Sequence, residues 1–149
     1  MMNFKRILVA TDFGEASERA LEAALDLAAR FDSELTLVHI WEYPSYEYMH
    51  GVVLPIDFAE RIEEAARVRM AGTISAIKQR SSNVKSIVKM GVVWSEVLSA
   101  IEETKPDLLV LGTHGRHGLK RAVLGSVAEK LVRLSPVPVL TVHASEKST

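Results

Sequence analysis

Cysteine is absent from the 149-residue chain, which excludes disulfides, thiol catalysis and cysteine-ligated zinc together and fits a reducing compartment. Long apolar runs are absent too. None approaches the roughly eighteen residues of a membrane span, and the N-terminus passes from "MMNFKR" through only "ILVA" before Thr11 and Asp12, too little for the apolar core of a signal peptide. A soluble, cytoplasmic protein is the expectation, with no membrane partner. An excess of charge is also lacking: 18 Lys and Arg stand against 19 Asp and Glu, a formal net charge of -1. Nothing therefore draws the whole chain toward nucleic acid, which would need a local basic patch. Two well-known phosphate-binding signatures are missing: no G-x4-G-K-[ST] occurs, and "ATDFGE" follows the first apolar run where G-x-G-x-x-G would stand.

What is present is ordinary globular composition, 48% hydrophobic and 25% charged, in a chain long enough for one full core. Short apolar runs alternate with segments of helical spacing. "RILVA" (6–10), "LTLVHI" (35–40), "SIVKM" (86–90), "DLLVL" (107–111) and "VPVLTV" (137–142) read as strands, the first a continuous run suited to burial on both faces. Leu21, Ala24, Leu25 and Ala28 mark one helix over about 17–31, and Ala66, Met70, Ile74 and Ile77 a second over about 57–80. Trp94, Val97, Leu98 and Ile101 mark a third, closed by Pro106, and Val127, Leu131 and Leu134 a fourth over 126–134. Five strands separated by four helices predict an α/β fold: a doubly wound, Rossmann-like five-stranded parallel sheet of order 3-2-1-4-5, with helices on both faces. One domain over 1–144 is expected, followed by a flexible polar tail, 145–149. The segment 41–56, with four aromatics and two prolines, reads as a long loop, functional or packed on the domain or a partner.

In an open parallel sheet, ligands bind beyond the carboxyl ends of the strands where the winding reverses. With strand 1 central and strand 4 beside it, the flanking loops are "ATDFG" (10–14) and "GTHGRHG" (112–118). Half of the eight glycines, Gly112, Gly115, Gly118 and Gly125, fall in and just after the second loop. Gly112 and Gly115 can take positive φ and carry no Cβ, so that backbone N–H groups can converge on an anion. Gly125 and Ser126 open the last helix, where free amides and the helix dipole favour phosphate. Arg116, Lys120 and Arg121 supply positive charge between them. A strand-to-helix turn with solvated charges is the plain alternative.

Together, "ILVATDF", "LVHI", "GTHGRHG…LGSVAEKLVRLSPVPVLTV" and the βαβ order resemble the universal stress protein family over essentially the whole chain. The spacing G-x2-G-x9-G-[ST], met by Gly112, Gly115, Gly125 and Ser126, is the mark of its ATP-binding branch. The resemblance implies a dimeric stress-response regulator that binds ATP, or ADP or AMP, with little or no catalysis and an unknown signalling partner. It places Ala10 and Ile40 in an adenine pocket and Asp12 near ribose, phosphate or a bound Mg ion. It puts Gly112, Thr113, His114, Gly115, Arg116, His117 and Gly118 around ribose and phosphates, and Gly125, Ser126 and Val127 at a second phosphate turn. It implies homodimer pairing through strand 137–142. Two departures stand out: Gly14 where the family often has Ser, and Trp94 where a small turn is common.

Single residues carry rival readings. Asp12 suits an N-cap of the first helix as well as a ligand contact, and the two roles are compatible. His114 and His117 lie three apart but lack a third ligand at metal spacing, and His39 reads as a satisfied core histidine. Ser126, His114 and Asp12 spell a hydrolase triad, yet no G-x-S-x-G elbow presents the serine. The enzyme alternative is a slow Mg-dependent ATP hydrolase or nucleotidyl transferase using Asp12.

Overall fold

In a computed structural model that describes residues 2–45, 50–114 and 124–145, strands and helices alternate along the chain. They are β1 (Arg6–Ala10), α1 (Glu15–Phe31), β2 (Glu34–Trp41), α2 (Phe58–Ile77), β3 (Val84–Met90), α3 (Val93–Thr104), β4 (Leu108–Gly112), α4 (Ser126–Leu134) and β5 (Val139–Val142). All pairings are parallel and the sheet order is β3-β2-β1-β4-β5, the order expected from the sequence. Among the described residues, no helix is long and apolar enough to cross a membrane.

The central strands are apolar at nearly every position because both of their faces are covered. Successive residues alternate between two cores. Ile7 and Val9 of β1, Leu35 and Leu37 of β2, and Leu108 and Val110 of β4 pack with Ala20, Ala24, Leu25 and Ala28 of α1 and with Met70 and Ile77 of α2. Leu8, Val38, Ile40, Leu109 and Leu111 point the other way, against Val97, Ala100 and Ile101 of α3 and Ala128 and Leu131 of α4. The first layer is therefore α1 and α2, the second α3 and α4. Alanines at 20, 24 and 28 let α1 approach the sheet closely; each is at most 5% exposed.

Several boundaries differ from the sequence reading: β2 is Glu34–Trp41 rather than 35–40, β3 is Val84–Met90 rather than 86–90, and β4 is Leu108–Gly112 rather than 107–111. Helix α1 begins at Glu15, ahead of its apolar stripe, with Gly14 as the residue before the first turn and Glu15 and Glu18 on the positive end of its dipole. Helix α2 ends at Ile77 rather than Arg80. Strand β5 starts at Val139 rather than 137. Pro136 and Pro138 have no N–H to give a ladder, and Val137 is tied to Ser135 instead: its N–H donates to Ser135 Oγ (3.1 Å) and its carbonyl accepts from that hydroxyl (2.8 Å).

Candidate functional site

The sheet reverses its winding between β1 and β4, and both strands end on the same side of the molecule. A cavity of about 220 Å³ lies there. Its two sides differ in chemistry. Ala10, Val38, Ile40, Val93, Val97 and Leu111 make an apolar slot between the strand ends and α3. Asp12, Ser17, Thr113, His114 and Ser126 line the remainder. A flat apolar group and a polar, charged group joined in one molecule match such a division.

On the β1 side the chain turns through Asp12, Phe13 and Gly14. Asp12 Oδ1 accepts the Gly14 N–H at 2.8 Å and the Ser17 hydroxyl at 2.8 Å, and Asp12 N–H donates to Ser17 Oγ at 3.2 Å. The carboxylate is thus held from two directions at the cavity wall. Among the described residues its second oxygen, Oδ2, receives no hydrogen bond. As a cap, Asp12 serves the turn leading into α1 rather than the helix itself: the N-cap is Gly14, and the bond goes to that residue's own N–H.

On the β4 side the two described glycines are needed for closeness. Gly112 lies outside the left-handed region, but a Cβ there would stand 2.7 Å from Ala16 Cβ, 2.8 Å from Ala16 carbonyl carbon and 3.0 Å from Ser17 N. The start of α1 rests directly on the end of β4. Gly125 has φ -60° and ψ 156°, which any residue adopts. Its Cβ would meet the Thr113 carbonyl oxygen at 2.9 Å, the atom to which its N–H donates at 2.7 Å. That contact pins the start of α4 to the end of β4. The N–H groups of Ser126, Val127 and Ala128 belong to the first turn of α4 and have no partner within the helix; all three residues line the cavity. They give it a positive rim.

Below the rim, the buried Thr113 hydroxyl stands 3.0 Å from His114 Nδ1 and 3.3 Å from His143 Nδ1. The hydroxyl has one proton, so at least one of these rings presents an N–H to it. Thr113 N–H donates to the Val142 carbonyl at 2.9 Å, joining the cavity floor to β5. His39 does not reach the cavity. Its Nδ1 meets the Thr11 carbonyl at 2.8 Å and its ring packs on Phe13, the satisfied role read from its strand position. Trp94 packs beside the second core with Lys130 Nζ 4.5 Å from its ring centroid.

Of the residues singled out from the sequence, Ala10, Asp12, Ile40, Gly112, Thr113, His114, Gly125, Ser126 and Val127 are brought to this one cavity. Gly115, Arg116, His117 and Gly118 lie outside the described residues. Sequence reasoning missed Thr11, Ser17, Val38, Val93, Val97, Leu111 and Ala128. Val93 and Val97 are spaced i, i+4, which marks a helix face but does not distinguish a core wall from a cavity wall. Ser17 carried a readable signal, a hydroxyl in the first turn after an Asp.

Comparison with known proteins agrees over the whole fold. The model of the universal stress protein family matches residues 3–143. Universal stress protein A homolog 2 of Coxiella burnetii is 34% identical over 145 residues, covering 96% of this chain and 97% of its own. The solved structure of protein MJ0577 of Methanocaldococcus jannaschii superposes with a TM-score of 0.85 at 26% identity, covering 99% of this chain and 100% of that one. The same fold recurs in a universal stress protein in complex with cAMP (TM-score 0.64, 24% identity, 96% and 99% covered). It recurs again in an Arabidopsis thaliana family member with AMP bound (TM-score 0.66, 15% identity, 95% and 93% covered).

Proposed function

This chain belongs to the universal stress protein family, and from that premise we propose that its cavity binds an adenine nucleotide, ATP or else ADP or AMP, in a dimeric stress-response regulator with little or no catalysis. One observation carries the reading: the first-turn amides of α4 and an apolar slot share a single cavity. The slot between Ile40, Val93 and Val97 suits a purine, and free amides at a helix start suit phosphate. Proteins of the same fold hold cAMP and AMP. The site residues are Ala10 and Ile40 for the base, Asp12 near ribose, phosphate or a bound Mg ion, Gly112, Thr113 and His114 around ribose and phosphates, and Gly125, Ser126 and Val127 for phosphate. Gly115, Arg116, His117 and Gly118 complete the set from the sequence. Dimer pairing is assigned to β5, an edge strand, in a single domain over 1–144.

The test is to denature freshly purified protein and identify released nucleotide by chromatography, then to titrate the emptied protein with ATP, ADP and AMP. Gly125→Val is run beside it with circular dichroism as the folding check, since its side chain meets the Thr113 carbonyl. An adenine nucleotide near one per chain, lost in a folded variant, is the expected result. A preparation that is empty and fails to bind any of the three overturns the reading.

A second reading, slow Mg-dependent hydrolysis or nucleotidyl transfer, is favoured by Asp12 Oδ2 alone. Magnesium is commonly held by one or two carboxylates together with substrate phosphate oxygens, so a single carboxylate at the wall fits an ion carried in on a nucleotide. Asp12 would hold that ion, which would supply charge neutralisation at the phosphates. Steady turnover that Asp12→Ala abolishes while nucleotide still binds would move the protein into this class.

A further inference from the structure

Phe13 sits at φ 63°, in left-handed backbone, where a bulky side chain is a genuine outlier. Glycine, asparagine and aspartate enter that region far more readily. The adjacent glycine does not take it: Gly14 has φ -83°. Local preference therefore does not place the turn at residue 13, and its surroundings must. Phe13 N–H donates to Thr11 Oγ1 at 3.0 Å. Its ring lies against the His39 imidazole, centroids 4.5 Å apart and planes tilted by 40°, while the Arg69 guanidinium of α2 stands 5.0 Å from the ring centroid. His39 is itself held, its Nδ1–H donating to the Thr11 carbonyl at 2.8 Å.

The left-handed step separates two neighbours that must go opposite ways. It sends the Phe13 ring to the α1 and α2 layer, and it brings the Gly14 N–H back onto Asp12 Oδ1, leaving that carboxylate on the cavity side. From this geometry we infer that Phe13 is a positioning residue for the nucleotide site. The contacts from His39 and Arg69 hold residue 13 left-handed, and the left-handed turn fixes the Asp12 carboxylate at the wall. None of the three lines the cavity. The inference rests on the nucleotide reading above.

Two orders of substitution separate positioning from packing. Apolar packing ranks Phe13→Val above Phe13→Ala above Phe13→Asn, whereas tolerance of left-handed backbone ranks them in reverse. Two quantities are measured for each: ATP affinity by calorimetry with Mg present, and Gly14 amide exchange by NMR in nucleotide-free protein. Positioning gives the order Asn, Ala, Val in both. Phe13→Asn stays within about threefold of the parent, as its backbone tolerance implies, and Phe13→Val falls by roughly tenfold, as expected of a strained turn released. The order Val, Ala, Asn, or equal losses throughout, overturns the inference. Arg69 is exposed, so Arg69→Ala leaves the fold intact. It weakens binding by about threefold and Arg69→Lys, which returns a cation to the ring, recovers it. Unchanged affinity and unchanged Gly14 exchange in Arg69→Ala remove that residue from the device. If the parent binds no nucleotide, the reading of the site fails, and the Gly14 series still decides whether residue 13 sets the turn.

Discussion

At the end of β1 the chain reverses through a phenylalanine in left-handed backbone, while at the end of β4 the described glycines of the opposite turn lie outside that region. Gly112 and Gly125 are small because other backbone passes within contact distance, α1 over the first and the Thr113 carbonyl over the second. The unusual dihedral and the unusual residue type have parted company. On one side of the cavity strain is held in place by ring contacts and fixes a carboxylate. On the other, the absence of side chains lets two helices meet the sheet closely enough to frame an anion site. A glycine-rich stretch therefore reports the location of such a site without reporting its mechanism.

The sharpest way to break this contrast is at Gly112. Adding one methyl group there brings it against Ala16 backbone and side chain, so β4 or the start of α1 must shift. Gly112→Ala is expected to cost about 3 kcal/mol of stability, lowering the melting temperature by roughly 6–12 °C. A urea midpoint equal to the parent's would mean that closeness is not what this glycine provides. Gly125→Ala comes next, at about 1–2 kcal/mol, because φ and ψ are already ordinary and the clash is with a single carbonyl oxygen. Its larger signature is in binding: displacing the start of α4 should weaken phosphate-bearing nucleotides by roughly tenfold, read by calorimetry, with adenosine much less affected.

Asp12→Asn sharpens the other side. The amide oxygen still accepts from Gly14 N–H, so the turn persists, and the loss of a charge-assisted bond costs about 1 kcal/mol. Mg-ATP affinity should drop while AMP affinity holds; equal losses for both would place Asp12 outside the metal and phosphate region. Lys130→Ala provides the baseline away from both turns. Removing the cation above Trp94 should cost about 0.5 kcal/mol and leave nucleotide affinity alone.

Much of this was legible without coordinates. The strand runs stood out because burial on both faces removes polar residues from them, and the reversal point between β1 and β4 followed from the winding. Phe13 was not legible: the partners of its ring, His39 from β2 and Arg69 from α2, arrive from other elements. Val93 and Val97 were indistinguishable from core. The link from Thr113 to His143 was invisible because those residues are thirty positions apart and carry no shared pattern.

The sequence by itself determined the alternation of elements, the parallel sheet and the pair of loops at which a ligand is expected, since these follow from hydrophobic periodicity and the handedness of the chain. Only the tertiary structure decided why each small or bulky residue stands in those loops. Periodicity is a property of neighbours along the chain, whereas the space left for a Cβ and the cost of a left-handed turn are set by atoms that arrive from other elements.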